Sequence, residues 1–268
     1  MKKAGIVLTS LLLMVGLVSG CGSTTPKATP TNGVSADVQA IKDKGVLKVG
    51  TKVDVPKFGY KDPATGKVEG FEIDLANAIS KKIIGTEKIE VSAVTAKTRG
   101  PLLDSGDVDL VIATFTVTEE RKKSYNFSDP YFKDGVRLLV KKDAGFKSLK
   151  DLDGKKIGVA QSSTSKKAIQ EQADKDGATV TFLEFATYPE IKAALDSGRV
   201  DCFSVDGSIL FGYMDETTTI LEDSFSPQDY GVASKKGNDG LAEAVNETIA
   251  ELKASGELDK MIKKWEIK

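Results

Sequence analysis

The chain of 268 residues contains no histidine. That absence excludes Ser-His-Asp and Cys-His catalysis, and every zinc site that needs imidazole. Cysteine is nearly as scarce, with Cys21 and Cys202 the two present. Their contexts argue against a disulfide: Cys21 follows an apolar leader, and Cys202 sits in the strand-like run VDCFSVD, where it reads as a buried small hydrophobe. Neither sign of charge is in excess, with Lys+Arg at 38 and Asp+Glu at 39. Without residues 1–20, whose charges are Lys2 and Lys3, the balance is 36 against 39. Such a balance points to neither nucleic acid nor a membrane surface. The apolar run from Ala4 to about Val18 falls short of the roughly 20 residues that span a bilayer.

What is present is the composition of a soluble globular protein, 40% apolar, in a length that suits one large domain or two lobes. Lys2 and Lys3, the short apolar core and the small residues Ser19 and Gly20 form a secretory signal over residues 1–20. Val18-Ser19-Gly20-Cys21 resembles the bacterial lipobox, which implies that Cys21 is diacylated, becomes the mature N-terminus and is the chain's only attachment to the membrane. Two acyl chains anchor firmly, at about 0.8 kcal/mol per buried methylene. An ordinary signal peptide with an incidental cysteine is the alternative. Residues 21–36 then hold the lipidated cysteine and a tether, because Gly22 to Ala36 is rich in Ser, Thr and Pro without apolar periodicity.

Beyond the tether, strand-like runs alternate with helical patterns. VLKVGTKV (Val46 to Val53) precedes a helix in which Phe71, Leu75, Ile79 and Ile83 recur four apart. IEVSAVTA (from Ile89), a short helix around Pro101 to Asp104 and VDLVIAT (Val108 to Thr114) follow. KKIGVAQ (Lys155 to Gln161), the helical STSKKAIQEQADKDG, TVTFLEF, a helix from Pro189 to Asp196 and VDCFSVD (Val200 to Asp206) repeat the order. Such alternation predicts parallel α/β sheets. LDSGDVDLVIAT, from Leu103, and LDSGRVDCFSVD, from Leu195, nearly coincide. Each sits at the third strand of its unit, so two similar lobes are expected. The echo aligns Thr114 with Asp206 at strand ends, where open α/β sheets bind ligands.

GFEIDLANAISKK (Gly70 to Lys82), DLVIATFTVTEERKKSYNFSDPYF (Asp109 to Phe132), LKDLDGKKIGVAQSST (Leu149 to Thr164) and YGVASKKGN (Tyr230 to Asn238) resemble the signature segments of bacterial amino-acid-binding proteins. These serve ATP-driven (ABC) importers, and the likeness covers about Val46 to Trp265. Within that family the chain is most similar to the aspartate/glutamate-binding members. The resemblance implies the two-lobed α/β periplasmic-binding-protein fold with two hinge crossings, closing on its ligand. Lobe 1 would comprise 37–137 plus 233–268, and lobe 2 would comprise 138–232.

A zwitterionic ligand needs an anion site and a cation site. Arg121, in the T-x-x-R position after Thr118, would clamp the α-carboxylate through a two-pronged, charge-assisted contact. Ser163 and Thr164, at a helix start, would cap the same group. Asp206 and Thr116 would hold the ammonium, with Thr114 on the wall of the cleft opposite Asp206. Each has a duller reading: Glu119 to Lys123 is the pattern of a solvated helix face, and Asp206, Ser163 and Thr164 suit helix caps. Many relatives of cationic or neutral specificity carry Gly-Thr-Asp after the first strand; here it is Gly50-Thr51-Lys52. Lys52 and Arg99 together favour a carboxylate side chain and repel a cationic one. Lys52 could instead lie on the surface, and Arg99 could pair with Asp104. Phe115 is the expected aromatic cover of the ligand, with Tyr188 a weaker candidate.

The expectation is high-affinity extracytoplasmic binding of L-glutamate or L-aspartate and delivery to the permease subunits of an ABC transporter. The protein would act as a monomer, with no cofactor, no metal, no nucleic acid and no catalysis. Glutamine or another polar amino acid is the alternative ligand. A dehydratase on the same scaffold would need a carboxylate such as Glu119, Glu120 or Glu184 aimed at substrate, and all three read as exposed or structural. A sensor or adhesin using the same cleft is a third reading.

Overall fold

Leu47, Val49, Gly50 and Thr51 are buried, so the strand they form is covered on both faces, as a parallel strand in an α/β sheet must be. The computed structural model describes residues 33–267; the signal segment, Cys21 and most of the tether lie outside that range. In chain order, α1 (Ala36–Lys44) leads to β1 (Leu47–Thr51) and to a small antiparallel flap of β2 (Asp54–Val55), β3 (Gly59–Lys61) and β4 (Val68–Glu69). Then come α2 (Phe71–Ile84), β5 (Ile89–Ala93), α3 (Arg99–Ser105), β6 (Leu110–Val111), α4 (Glu119–Ser124) and β7 (Tyr125–Phe127). The middle of the chain forms β8 (Phe132–Lys141), β9 (Lys156–Ala160), α5 (Ser165–Asp176), β10 (Thr181–Phe185), α6 (Tyr188–Asp196), β11 (Cys202–Asp206), α7 (Gly207–Phe211), β12 (Thr218–Ile220) and β13 (Phe225–Tyr230). It closes with β14 (Ala233–Lys235), α8 (Asp239–Ala254) and α9 (Glu257–Lys264).

The first sheet has the order β5-β1-β6-β14-β7, and the second β10-β9-β11-β8-β12 with β13 also on β8. In both, three parallel strands are followed by an antiparallel one, and each sheet founds one lobe. The chain leaves the first sheet after Phe127, enters the second at Phe132, leaves it at Tyr230 and returns at Ala233. The expected division at Arg137 would cut β8, which lies wholly in the second sheet. The reason is that the apolar run around Val136 to Val140 is the middle of a ten-residue strand rather than a hinge. The helices follow their patterns: Phe71, Leu75, Ile79 and Ile83 of α2 are buried as their spacing predicts, and the helix ends on left-handed Gly85.

The strand expected over Val108 to Thr114 pairs over Leu110–Val111 alone. Thr114 leaves the extended region altogether, at φ 44°, an outlier for a β-branched residue that costs about 1–3 kcal/mol. Side chains hold it there: the Glu72 carboxylate accepts its N–H, and the Arg99 guanidinium donates to its carbonyl. Between the lobes the floor is aromatic. Phe58, Phe71, Tyr131, Phe132 and Tyr230 meet with ring centroids 5.3 to 6.3 Å apart.

Candidate functional site

Past the C-terminal ends of β1, β6, β9 and β11, side chains of the two lobes meet: Arg121 reaches Ser162, Thr164 reaches Gln228, and Lys52 lies over Tyr188. Arg121 does not sit on a solvated face. Thr118 caps α4 by accepting the Arg121 N–H at 3.1 Å, which orients the helix so that the guanidinium turns inward. One of its nitrogens donates to the Thr116 carbonyl at 2.7 Å and another reaches across to the Ser162 carbonyl at 3.1 Å. Burial, with Arg99 nearby, pulls it down to about 9, so it remains charged at neutral pH.

Arg99 is 3% exposed and donates to the Ala113 and Thr114 carbonyls at 2.7 and 3.0 Å. The alternative pairing with Asp104 does not occur, because the Tyr125 hydroxyl donates to that carboxylate instead. Phe115 is no free cover for a ligand. Its ring lies 4.0 Å from the Arg99 guanidinium and 4.7 Å from that of Arg121, with Tyr125 and Phe127 behind it. It is a shelf that fixes both cations.

Lys52 is 1% exposed, which removes the surface reading. Its ammonium lies 3.0 Å from Asp54 and 4.5 Å from the centre of the Tyr188 ring. Burial lowers its pKa, while Asp54 works in the opposite direction. Tyr188 comes from α6 in the other lobe. Asp54 ties the flap to that lobe, accepting from the Tyr188 N–H at 3.4 Å and, through its own carbonyl, from the Tyr213 hydroxyl.

On the second lobe, Asp206 precedes α7 without capping it. Its carboxylate accepts from the Tyr230 hydroxyl at 2.5 Å instead. Burial and the neighbouring Asp134 push it up to about 7, against the pull of Tyr230, Arg99 and Arg121. Thr116 and Thr164, from opposite lobes, both donate to the Gln228 side-chain oxygen at 2.7 Å. Thr164 precedes α5 without a side-chain capping bond.

Sequence reasoning missed Glu72, Asp54, Gln228, Tyr131 and Tyr230. Glu72 had a visible signal, since with Ala76, Ile79 and Ile83 it lies on the apolar face of α2. Its Oε1 accepts from the Thr114 N–H at 2.6 Å and the Tyr131 hydroxyl at 2.5 Å. Burial pushes the carboxyl up to about 7, although both donors, Arg99 and Lys52 pull it down. Among the described residues, Thr51 Oγ1, Glu72 Oε2, Arg99 Nε, Thr114 Oγ1, Ser163 Oγ and Asp206 Oδ1 are buried without a hydrogen-bond partner. Buried polar atoms left open from both lobes are what a polar ligand between them would satisfy. No cluster of three or more His, Cys, Asp or Glu suits a metal among the described residues.

The family model of the bacterial extracellular solute-binding proteins, family 3, matches residues 47–268. The ABC transporter glutamine-binding protein GlnH of Bacillus subtilis (strain 168) is 40% identical over 270 residues, covering 99% of this chain and 97% of that protein. The glutamine-binding protein of Geobacillus stearothermophilus is 41% identical over 249 residues, covering 88% and 94%. Among solved structures, an ancestral arginine-binding protein bound to glutamine superposes with a TM-score of 0.75 at 41% identity, covering 82% of this chain and 97% of that one.

Proposed function

Because the chain belongs to the bacterial extracellular solute-binding proteins of family 3, and so is an extracytoplasmic amino-acid receptor that works with an ABC transporter, we propose that its cleft takes up L-glutamine. It is a binding protein rather than an enzyme, as its relatives are. The observation that carries the ligand is the charge count. Lys52, Arg99 and Arg121 face Asp54, Glu72 and Asp206, and Lys52 is already paired with Asp54 at 3.0 Å. With an acidic side chain beside each cation, the set suits a ligand of no net charge, and the relatives at 40% and 41% identity are named as glutamine-binding. In this reading Arg121 and the Ser163 hydroxyl receive the α-carboxylate, Thr164 stands beside them with its hydroxyl held by Gln228, and Asp206 with Thr116 receives the ammonium. Thr114 and Arg99, through its unpartnered Nε, address the side-chain oxygen. Tyr188 and Lys52 close the far end from above. Cys21 as a lipid anchor remains part of the proposal, resting on the order Val18-Ser19-Gly20-Cys21.

Arg99 favours a second reading, the acidic ligand expected from the sequence, since a guanidinium with an open donor suits a carboxylate at least as well as an amide. Titration calorimetry of the purified chain with L-glutamine, L-glutamate, L-aspartate and L-arginine separates the two. Glutamine is expected to bind at micromolar or lower concentration and arginine not at all. Binding of glutamate without glutamine would put the second reading first, and binding of arginine would end the charge argument.

A further inference from the structure

Glu72 has no direct ligand contact in that reading, yet, like Asp206, it keeps one carboxyl oxygen open for an extra proton. It is wholly buried, and both of its hydrogen bonds, from Thr114 and Tyr131, converge on Oε1. Oε2 has no partner among the described residues. A proton arriving on Oε2 would break neither bond, and Thr114 would keep its left-handed conformation.

The groups that face this carboxyl are Arg99 from α3, Lys52 just past β1, Tyr131 from the first crossing and the Thr114 backbone past β6. Asp54 beside Lys52, and Tyr188 and Asp206 near Arg99, complete the surroundings. An amino acid with an amide side chain adds no net charge to this set. Glutamate or aspartate adds one negative charge in a place shielded from water, where an uncompensated charge is severely penalised. Desolvation already weakens the hold of Glu72 on its ionised form, to about 7.

We propose that Glu72 sets the balance between amide and acid ligands: its Oε2 takes up one proton from solvent when the bound side chain is a carboxylate and stays ionised when it is an amide. The step forms one O–H bond and breaks none in the protein. Glu72 is here a positioning and charge-balancing residue for the receptor function proposed above, and the inference rests on that reading of the cleft.

Calorimetry at pH 7.5 in two buffers of different ionisation enthalpy gives the number of protons exchanged with each ligand. L-Glutamine and L-glutamate share the same α-ammonium and α-carboxylate, so any titration of Asp206 cancels in the difference. Glutamate is expected to take up about 0.5 to 1 proton more than glutamine, and its affinity relative to glutamine should fall up to about tenfold per pH unit above 7. Glu72→Gln preserves an acceptor at Oε1 and should abolish both differences. Equal proton counts in the unaltered protein, which need no variant, would overturn the inference, as would a difference that survives in Glu72→Gln. If glutamate alone binds, its proton uptake must vanish in Glu72→Gln. If glutamine alone binds even at pH 6, the inference is wrong and the glutamine reading stands. If neither binds, it is the reading of the cleft that has failed.

Discussion

The two lobes repeat one topology and divide its chemistry. Each places a central parallel strand, β1 or β9, between two others, and each holds a non-glycine residue at positive φ beside the cleft, Thr114 at 44° and Ser162 at 61°. Each also buries one carboxyl that accepts from a tyrosine at a crossing, Glu72 from Tyr131 and Asp206 from Tyr230. The difference is in the cations. Lys52, Arg99 and Arg121 all belong to the first sheet's side, whereas the second lobe offers a carboxylate, hydroxyls and the Ser162 carbonyl that receives Arg121. In the proposed reading a ligand carboxylate would therefore be addressed mainly from one wall and an ammonium mainly from the other.

The largest expected effect removes one wall's charge at a time. Arg121→Ala should weaken amino-acid binding by roughly 100-fold or more, the usual consequence of leaving a buried charge without its partner. Asp206→Asn should cost somewhat less, because the amide can still accept from Tyr230 and the ammonium. Arg121→Ala also removes the direct bond between lobes to Ser162, so its loss should be the greater of the two. Titration calorimetry ranks them. The opposite order would mean that the second lobe dominates recognition and that the cation-rich wall is mainly structural.

A smaller effect concerns stability against pH. Glu72 and Asp206 are both pushed up to about 7 in the fold, from ordinary values near 4. A carboxyl raised in this way contributes stability that is fully present below its unfolded value and is lost as pH rises through 7, because the unfolded chain releases that proton first. The ligand-free protein should thus lose a few kcal/mol between about pH 4 and pH 8. Urea unfolding across that range measures it. Glu72→Gln should remove the share belonging to the first lobe and Asp206→Asn that of the second. If one variant flattens the whole profile, the two carboxyls are not equivalent after all.

Much of this arrangement was legible in the chain, and the parts that were not share a cause. Helix periodicity located α2, and the LDSG echo located the paired third strands. Asp206 and Thr164 were singled out by their strand-end and helix-start positions, Arg121 and Lys52 by the resemblance alone; Lys52 is buried and Arg121 turns to the Ser162 carbonyl of the other lobe. The echo overreached in equating Thr114 with Asp206. Asp206 is the last residue of β11, while Thr114 lies three residues beyond β6 in a left-handed turn. That turn depends on Glu72 and Arg99, which are distant in sequence, so no local pattern announces it. Tyr131, Tyr230 and Gln228 were invisible for the same reason: their partners come from other elements. Phe115 was read as ligand cover, and the two guanidinium groups that lie against its ring, from Arg99 and Arg121, had no signal in its own segment.

The smallest expected effect tests how closely the two sheets are covered by their helices. Each central strand carries one glycine, Gly50 in β1 and Gly158 in β9. A methyl group at Gly158 would come within 2.6 Å of Ile191 on α6, with Phe185 and Val200 at 3.4 Å. At Gly50 the nearest atoms are Val94 at 3.1 Å and Val111 at 3.3 Å, close enough to need only a slight shift. Forcing a methyl into a packed interior costs about 1–3 kcal/mol, while replacing glycine by alanine at an ordinary backbone conformation returns about 0.4–1 kcal/mol through the unfolded chain. The two terms should nearly cancel in Gly50→Ala and leave Gly158→Ala less stable by about 1–2 kcal/mol. Urea midpoints at one pH decide it. Because α6 also carries Tyr188 over Lys52, a shift of Ile191 in Gly158→Ala should weaken amino-acid binding as well, whereas Gly50→Ala should leave binding unchanged. Equal loss in both would mean that α6 yields without moving Tyr188, and that the second lobe's helix layer is looser than its contacts suggest.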